Sequence, residues 1–159
     1  MDFAGDFPVP EGLSYYSFQK AGIAYSLNRG NTLIGDEPGL GKTIQAIGII
    51  NAKPDIKNVL IICPASIKIN WKRELEKWLV RKTSVEIANA SDDAFPDADI
   101  VIINYDILEK YKESIRIKIY DLLICDEVHY CKSPKAVRTK AVKEISRIAK
   151  KRIFLTGTP

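Results

Sequence analysis

The sequence predicts an α/β domain built on a mostly parallel sheet with helices on both faces. Three observations lead there. Val59–Cys63, Ile100–Ile103 and Leu122–Cys125 are continuous apolar runs, the pattern of strands buried on both faces. Segments of helical spacing alternate with these runs, and that alternation implies parallel pairing with crossover helices. The 159 residues, 46% hydrophobic and 28% charged, suit about one domain with a core of its own.

Taken in order, residues 1–12 carry Gly5, Pro8, Pro10 and Gly12 and read as an irregular arm. A helix is expected from about Leu13 to Leu27, with Phe18, Ile23 and Leu27 among its apolar positions. Asn31–Gly35 reads as a short strand. Gly39 and Gly41 break the chain, and a helix resumes from Thr43 to about Ile50, stopped by Pro54. After the Val59–Cys63 strand and Pro64, the segment Ser66–Leu79 places Ile67, Trp71, Leu75 and Leu79 on one helical stripe, with Lys68, Lys72, Glu76 and Lys77 off it. Val85–Ala88 is a weak strand, and Ser91–Asp99 an acidic loop. Strands follow at Ile100–Ile103 and Leu122–Cys125. Ser133-Pro134 is a helix start, with Val137, Ala141, Ile145 and Ile148 forming the stripe behind it. Arg152–Leu155 is the last strand. With no helix after Thr156-Gly157-Thr158-Pro159, the expectation is an excised domain or fragment.

Composition excludes several classes. Low hydrophobicity with high net charge, the mark of disorder, is missing. No apolar run approaches the roughly 20 residues that span a bilayer, and the N-terminus has neither the basic nor the apolar region of a signal peptide. A net charge of +4 permits a nucleic-acid partner without arguing for one. Cys63, Cys125 and Cys131 form no Cys-x-x-Cys pair, so a disulfide framework or zinc site is not expected; Cys63 and Cys125 read as small buried hydrophobes.

The strongest chemical signal is Gly39-Leu40-Gly41-Lys42-Thr43, between a strand and a helix. Glycines let the backbone turn tightly and approach an anion, and free N–H groups at the helix start point at phosphate oxygens. Lys42 would neutralise phosphate, and the Thr43 hydroxyl would coordinate Mg²⁺. Asp36 stands where the usual pattern opens with glycine. The second signal is Asp126-Glu127-Val128-His129, directly after a buried strand, where parallel sheets bind ligands. Asp126 would hold Mg²⁺, and Glu127 would orient or deprotonate the attacking water. His129, the single histidine, would couple the site to its surroundings. Thr156-Gly157-Thr158-Pro159 alone is a turn. Phe18-Gln19 alone is weak, although a glutamine amide can read an adenine edge. Lys68, Lys72, Arg73 and Lys77 are accounted for by a solvated helix face.

Together these segments resemble a known series. Phe18-Gln19 is similar to an adenine-reading Q motif and Asp36–Thr43 to motif I. Cys63–Glu74 is similar to motif Ia, with its Asn-Trp-x-x-Glu block. Ile103–Asp106 lies at the next block, Asp126–His129 is similar to motif II, and Leu155–Pro159 to motif III. Over residues 13–159 the chain resembles the first RecA-like lobe of a Swi/Snf-type superfamily two helicase, and its motif spacing that of the annealing-helicase-like members.

The resemblance implies a RecA-like P-loop fold and ATP-driven movement on double-stranded DNA, with ATP and Mg²⁺ bound between this lobe and a second RecA-like lobe of the same protein. Lys42, Thr43, Asp126 and Glu127 would serve phosphate, metal and water, with Gly39, Leu40 and Gly41 cradling the phosphates and Gln19 reading adenine. His129, Thr156 and Thr158 would couple nucleotide state to DNA, and Ala65, Ser66 and Lys68 would lie near the DNA backbone, where contacts fix position without reading sequence. Pro38, in place of the usual methionine, would stiffen the loop; Val128, in place of a smaller residue, would be tolerated. An intracellular location follows, in the cytoplasm, nucleoid or nucleus, with no membrane partner. A missing arginine finger typically costs about 10³–10⁵ in turnover, so the single lobe is expected to hydrolyse ATP poorly. The alternatives are an RNA-directed or protein-remodelling ATPase, or a non-catalytic nucleotide-binding module.

Overall fold

A computed structural model describes residues 7–35, 41–128 and 137–157. Within them lie strands β1 (Asn31–Ile34), β2 (Val59–Cys63), β3 (Val85–Ile87), β4 (Ile100–Asn104), β5 (Leu122–Cys125) and β6 (Arg152–Leu155). The helices are α1 (Ser17–Leu27), α2 (Lys42–Ala52), α3 (Lys68–Trp78), α4 (Lys112–Arg116) and α5 (Val137–Ile148). The strands form one sheet in the order β1-β6-β5-β2-β4-β3, and every pairing is parallel.

That order follows from crossover handedness. The steps β1 to β2 and β2 to β3 run one way along the sheet, and the later steps return. Right-handed crossovers therefore put α2 and α3 on one face and α4 and α5 on the other. Two cores result. Val59, Ile61 and Cys63 of β2 face the core that holds Trp71, Leu75 and Trp78 of α3. Leu60 and Ile62 face the core that holds Ile115, Ala141, Val142 and Ile145. β4 and β5 divide the same way, with Ile102 and Ile124 on the first face and Ile103 and Cys125 on the second. An unbroken apolar run is thus a strand serving two cores.

α1 packs on α2 at backbone-close range. A Cβ on Gly48 would lie 2.4 Å from Ile23 Cδ1, and one on Gly22 would lie 2.0 Å from Gln45 Oε1. Lys151, only 6% exposed, enters β6 with its ammonium donating to the carbonyls of Ser26 and Arg29, so it caps the end of α1. Burial there, with Lys53 nearby, holds its pKa below the ordinary lysine value.

The structure moves several expected boundaries. α1 starts at Ser17 rather than near Leu13. Tyr15 is instead buried, its ring stacked on Trp78 at 5.7 Å and its hydroxyl donating to the Pro8 carbonyl at 2.7 Å. Phe18 is 43% exposed, while Gln19 and Ser26 face inward, the latter donating to Thr32 Oγ1 at 2.8 Å. Ala65–Ile67 forms a 3-10 turn before α3, and Trp78 rather than Leu79 completes the buried stripe. Val142 is buried in α5, where Ile148 is 37% exposed. α4 and the 3-10 turn Tyr105–Ile107 were not expected. Cys63 and Cys125 are buried, Cys63 in the first core and Cys125 in the second. Val128 packs against the second core. Phe7 and Val9 of the expected arm pack against the first. The readings on Pro38, Cys131 and the Ser133-Pro134 helix start lie outside the described residues. Among the described residues, no helix is long and apolar enough to cross a membrane.

Candidate active site

The connections leaving β1 and β5 depart to opposite faces, which opens a crevice at the carboxyl ends of the strands. Gly41 stands at one wall as the residue before α2, with φ +84° in the left-handed region that favours glycine. A Cβ there would also lie 2.2 Å from Gln19 Nε2. Among the described residues, α2 has no acidic residue in its first turn and no side chain caps its N-terminus, and the first N–H groups of a helix suit an anion. Lys42 and Thr43 occupy that turn and are half-buried.

The opposite wall follows β5. The Asp126 N–H donates to the Ile62 carbonyl at 2.8 Å, and the Tyr105 hydroxyl donates to the Asp126 carbonyl at 2.7 Å. Both carboxylate oxygens are engaged: Oδ1 accepts the Glu127 N–H at 2.8 Å and Oδ2 accepts the Trp71 indole N–H at 2.9 Å. Glu127 has φ +55°, in the left-handed region that non-glycine residues rarely adopt. The third wall follows β6. A Cβ on Gly157 would lie 2.9 Å from Lys42 Nζ and 3.5 Å from Glu127 Oε1, so glycine leaves room for both charged groups beside the backbone. The Thr156 N–H donates to the Ile34 carbonyl at 3.1 Å and ties this segment to β1.

The walls enclose a cleft of about 300 Å³ lined by Gly41, Lys42, Thr43, Ile44, Asn70, Glu74, Asp126 and Glu127. Its electrostatics pit burial against compensation. Burial pushes the Asp126 carboxyl above the ordinary carboxylate value; the Trp71 hydrogen bond opposes this, the Glu127 charge adds to it, and Lys42 opposes it. Burial, helped by the Asp126 charge and opposed by Lys68, pushes the Cys63 thiol up to about 12, so Cys63 is no nucleophile at neutral pH. Among the described residues, no group of three or more His, Cys, Asp or Glu could hold a metal by itself. A hydroxyl and a carboxylate beside a phosphate-sized cleft suit a cation that keeps several waters and takes most other ligands from substrate phosphates.

The structure therefore brings together Gly41, Lys42, Thr43, Asp126 and Glu127, with Thr156 at the edge. Gln19 lies beside Gly41 but is only 2% exposed, and its Oε1 accepts the Tyr16 N–H at 2.8 Å. Ala65 and Ser66 are exposed on the turn before α3. Lys68 is half-buried, with its ammonium donating to Asn104 Oδ1 at 2.9 Å and the Ala88 carbonyl at 3.1 Å. Gly39, Leu40, His129 and Thr158 lie outside the described residues.

The motif resemblance marks the blocks that hold Asn70, Trp71, Glu74 and Tyr105, but not what these side chains touch. Trp71 sits on the apolar stripe and passes for core, although a buried indole N–H calls for an acceptor. Asn70 and Glu74 are four residues apart, hence on one helical face, and that spacing was the available signal.

Comparison with known proteins identifies the family and the fold. The family model described as SNF2-related domain matches residues 18–159. The chain is 36% identical over 151 residues to the DNA annealing helicase and endonuclease ZRANB3 of Bos taurus, covering 89% of this chain and 14% of that protein. It is 34% identical over 149 residues to the SWI/SNF-related matrix-associated actin-dependent regulator of chromatin subfamily A-like protein 1 homolog of Caenorhabditis elegans, covering 91% of this chain and 22% of the relative. Among solved structures it matches the Sulfolobus solfataricus SWI2/SNF2 ATPase core in complex with dsDNA, with TM-score 0.75 and 30% identity, over 89% of this chain and 31% of that one. The chain thus spans a minor part of each relative. The fold is the RecA-like one the motifs imply, and the first of these relatives agrees with the annealing-helicase-like branch.

Proposed function

Because this chain belongs to the SNF2-related domain family, we propose that it is the ATP-binding lobe of a motor that moves on double-stranded DNA. One observation carries the reading: Lys42 and Thr43 at the start of α2 line one cleft with the buried Asp126 and with Glu127, and the Lys42 ammonium and Glu127 carboxylate both lie close to Gly157. A cation, a hydroxyl and two carboxylates at a helix N-terminus are the parts that phosphoryl transfer to water requires.

In this reading the α2 N–H groups and the Lys42 ammonium take the phosphate oxygens. The Thr43 hydroxyl and Asp126 would hold Mg²⁺, which would supply positive charge against the phosphates. Glu127 orients water in line with the terminal phosphorus and accepts its proton as the bond to the leaving diphosphate breaks, giving ADP and phosphate. Gln19 stands on the adenine side of the loop. Thr156, with His129 and Thr158, links nucleotide state to DNA, and Ala65, Ser66 and Lys68 stand near the DNA backbone. The lobe spans 13–159 with 1–12 as its arm, works with a second RecA-like lobe, and acts inside the cell, in the cytoplasm, nucleoid or nucleus. The solved relative bound to dsDNA supports the choice of duplex DNA.

Lys42→Ala tests the nucleotide site. Charge-assisted hydrogen bonds are worth about 1.5–3 kcal/mol, so ADP affinity should fall by about 10–150-fold by calorimetry while the fold persists by circular dichroism. Unchanged affinity would remove phosphate binding from this cleft.

A further inference from the structure

We propose that Trp71 is a positioning residue for the nucleotide site. Its indole N–H holds the Asp126 carboxylate and ties it to α3, the helix whose leading turn carries Ala65 and Ser66. The inference rests on the reading of Asp126 given above.

Trp71 is 1% exposed and donates across the chain to Asp126 Oδ2 at 2.9 Å. Packing alone does not account for an indole here. Trp78, two steps along the same buried stripe and 7% exposed, has an Nε1 with no acceptor among the described residues. This core therefore accommodates a tryptophan for its bulk alone, yet at position 71 the N–H meets a carboxylate. A hydrogen bond to an ionised acceptor is roughly twice as strong as a neutral one. The Glu127 N–H occupies the other oxygen, so donors from two separate elements fix the carboxylate plane.

α3 is itself pinned at its start. Lys68 Nζ reaches Asn104 Oδ1 at the end of β4, and Trp71 follows less than one helical turn later. The peptide of Asp126 hangs from β2 through Ile62 and from the turn after β4 through Tyr105. A shift of the leading turn of α3 along its axis therefore acts on the Asp126 side chain through the indole, while the Asp126 backbone stays anchored. This is a direct mechanical link between the Ala65–Ile67 turn and the carboxylate.

The test compares Trp71→Phe with Trp78→Phe in this chain, titrating ADP by calorimetry with and without Mg²⁺. Melting curves check the fold. Partners that orient a metal-binding group typically change metal affinity about 10–100-fold when removed. Trp71→Phe should keep Mg²⁺-free ADP affinity within about twofold and lose about tenfold of the Mg²⁺-dependent gain, by analogy with that range. Trp78→Phe should keep both. Should Trp71→Phe fail to fold, 3-benzothienylalanine at position 71 keeps shape and volume and deletes only the N–H donor. A full Mg²⁺ gain in the N–H-deleted variant, or an equal loss with and without Mg²⁺, overturns the inference. A parent chain that shows no Mg²⁺ gain overturns the reading of Asp126 and this inference with it.

Discussion

Glu127→Gln should abolish most ATP hydrolysis by the proposed two-lobe protein, while leaving nucleotide binding intact. Glutamine matches glutamate in size but cannot accept the proton of the attacking water, and general-base catalysis is worth about 10²–10⁴-fold. Glu127 sits at φ +55°, with Oε1 close to Gly157 and in the cleft that Lys42 lines. The variant also removes a negative charge that raises the Asp126 pKa. Nucleotide affinity should therefore stay level or rise slightly. Single-turnover hydrolysis with a parallel binding titration separates the two effects. Hydrolysis within a few-fold of the parent would take Glu127 out of the chemistry.

Gly41→Val should damage both fold and site. Left-handed backbone costs an L-residue about 1–2 kcal/mol, and a Cβ at Gly41 would lie 2.2 Å from the buried Gln19 amide. Overpacking adds about 1–3 kcal/mol. A total of about 2–5 kcal/mol lowers the melting temperature of a domain this size by about 4–20 °C. ADP binding should disappear with it, because relieving the clash moves the start of α2. Gly48→Ala is the comparison: Gly48 lies inside α2 and meets the flexible end of Ile23, so stability should drop less and ADP binding survive. A Gly41→Val protein that melts and binds like the parent would show that this turn tolerates a side chain.

How much of this was legible depended on the signal each element carries. Val59–Cys63, Leu122–Cys125 and Arg152–Leu155 were readable to the residue because apolar runs end abruptly at turn residues. The start of α1 was misplaced because Leu13 and Tyr15 extend an apolar pattern that is in fact loop packing against the core. α4, from Lys112 to Arg116, is too short to show a period. Phe18 and Gln19 exchanged their expected places because Gln19 satisfies its amide oxygen on the Tyr16 N–H and can be buried. The cleft residues Gly41, Lys42, Thr43, Asp126 and Glu127 were legible from residue type and order, since phosphate chemistry restricts both. The contact of Trp71 with Asp126 was not, although the Asn-Trp block marked the residue, because periodicity registers an indole as apolar bulk and says nothing of its N–H.

The central claim is that this lobe serves a motor on duplex DNA. Steady-state ATP hydrolysis tests it most directly, using the protein that includes the second lobe, without nucleic acid and then with duplex DNA, single-stranded DNA and RNA, and with Lys42→Ala as the blank. The account predicts stimulation chiefly by duplex DNA and none in the Lys42→Ala protein. Stimulation chiefly by RNA, or by no polymer at all, would contradict it.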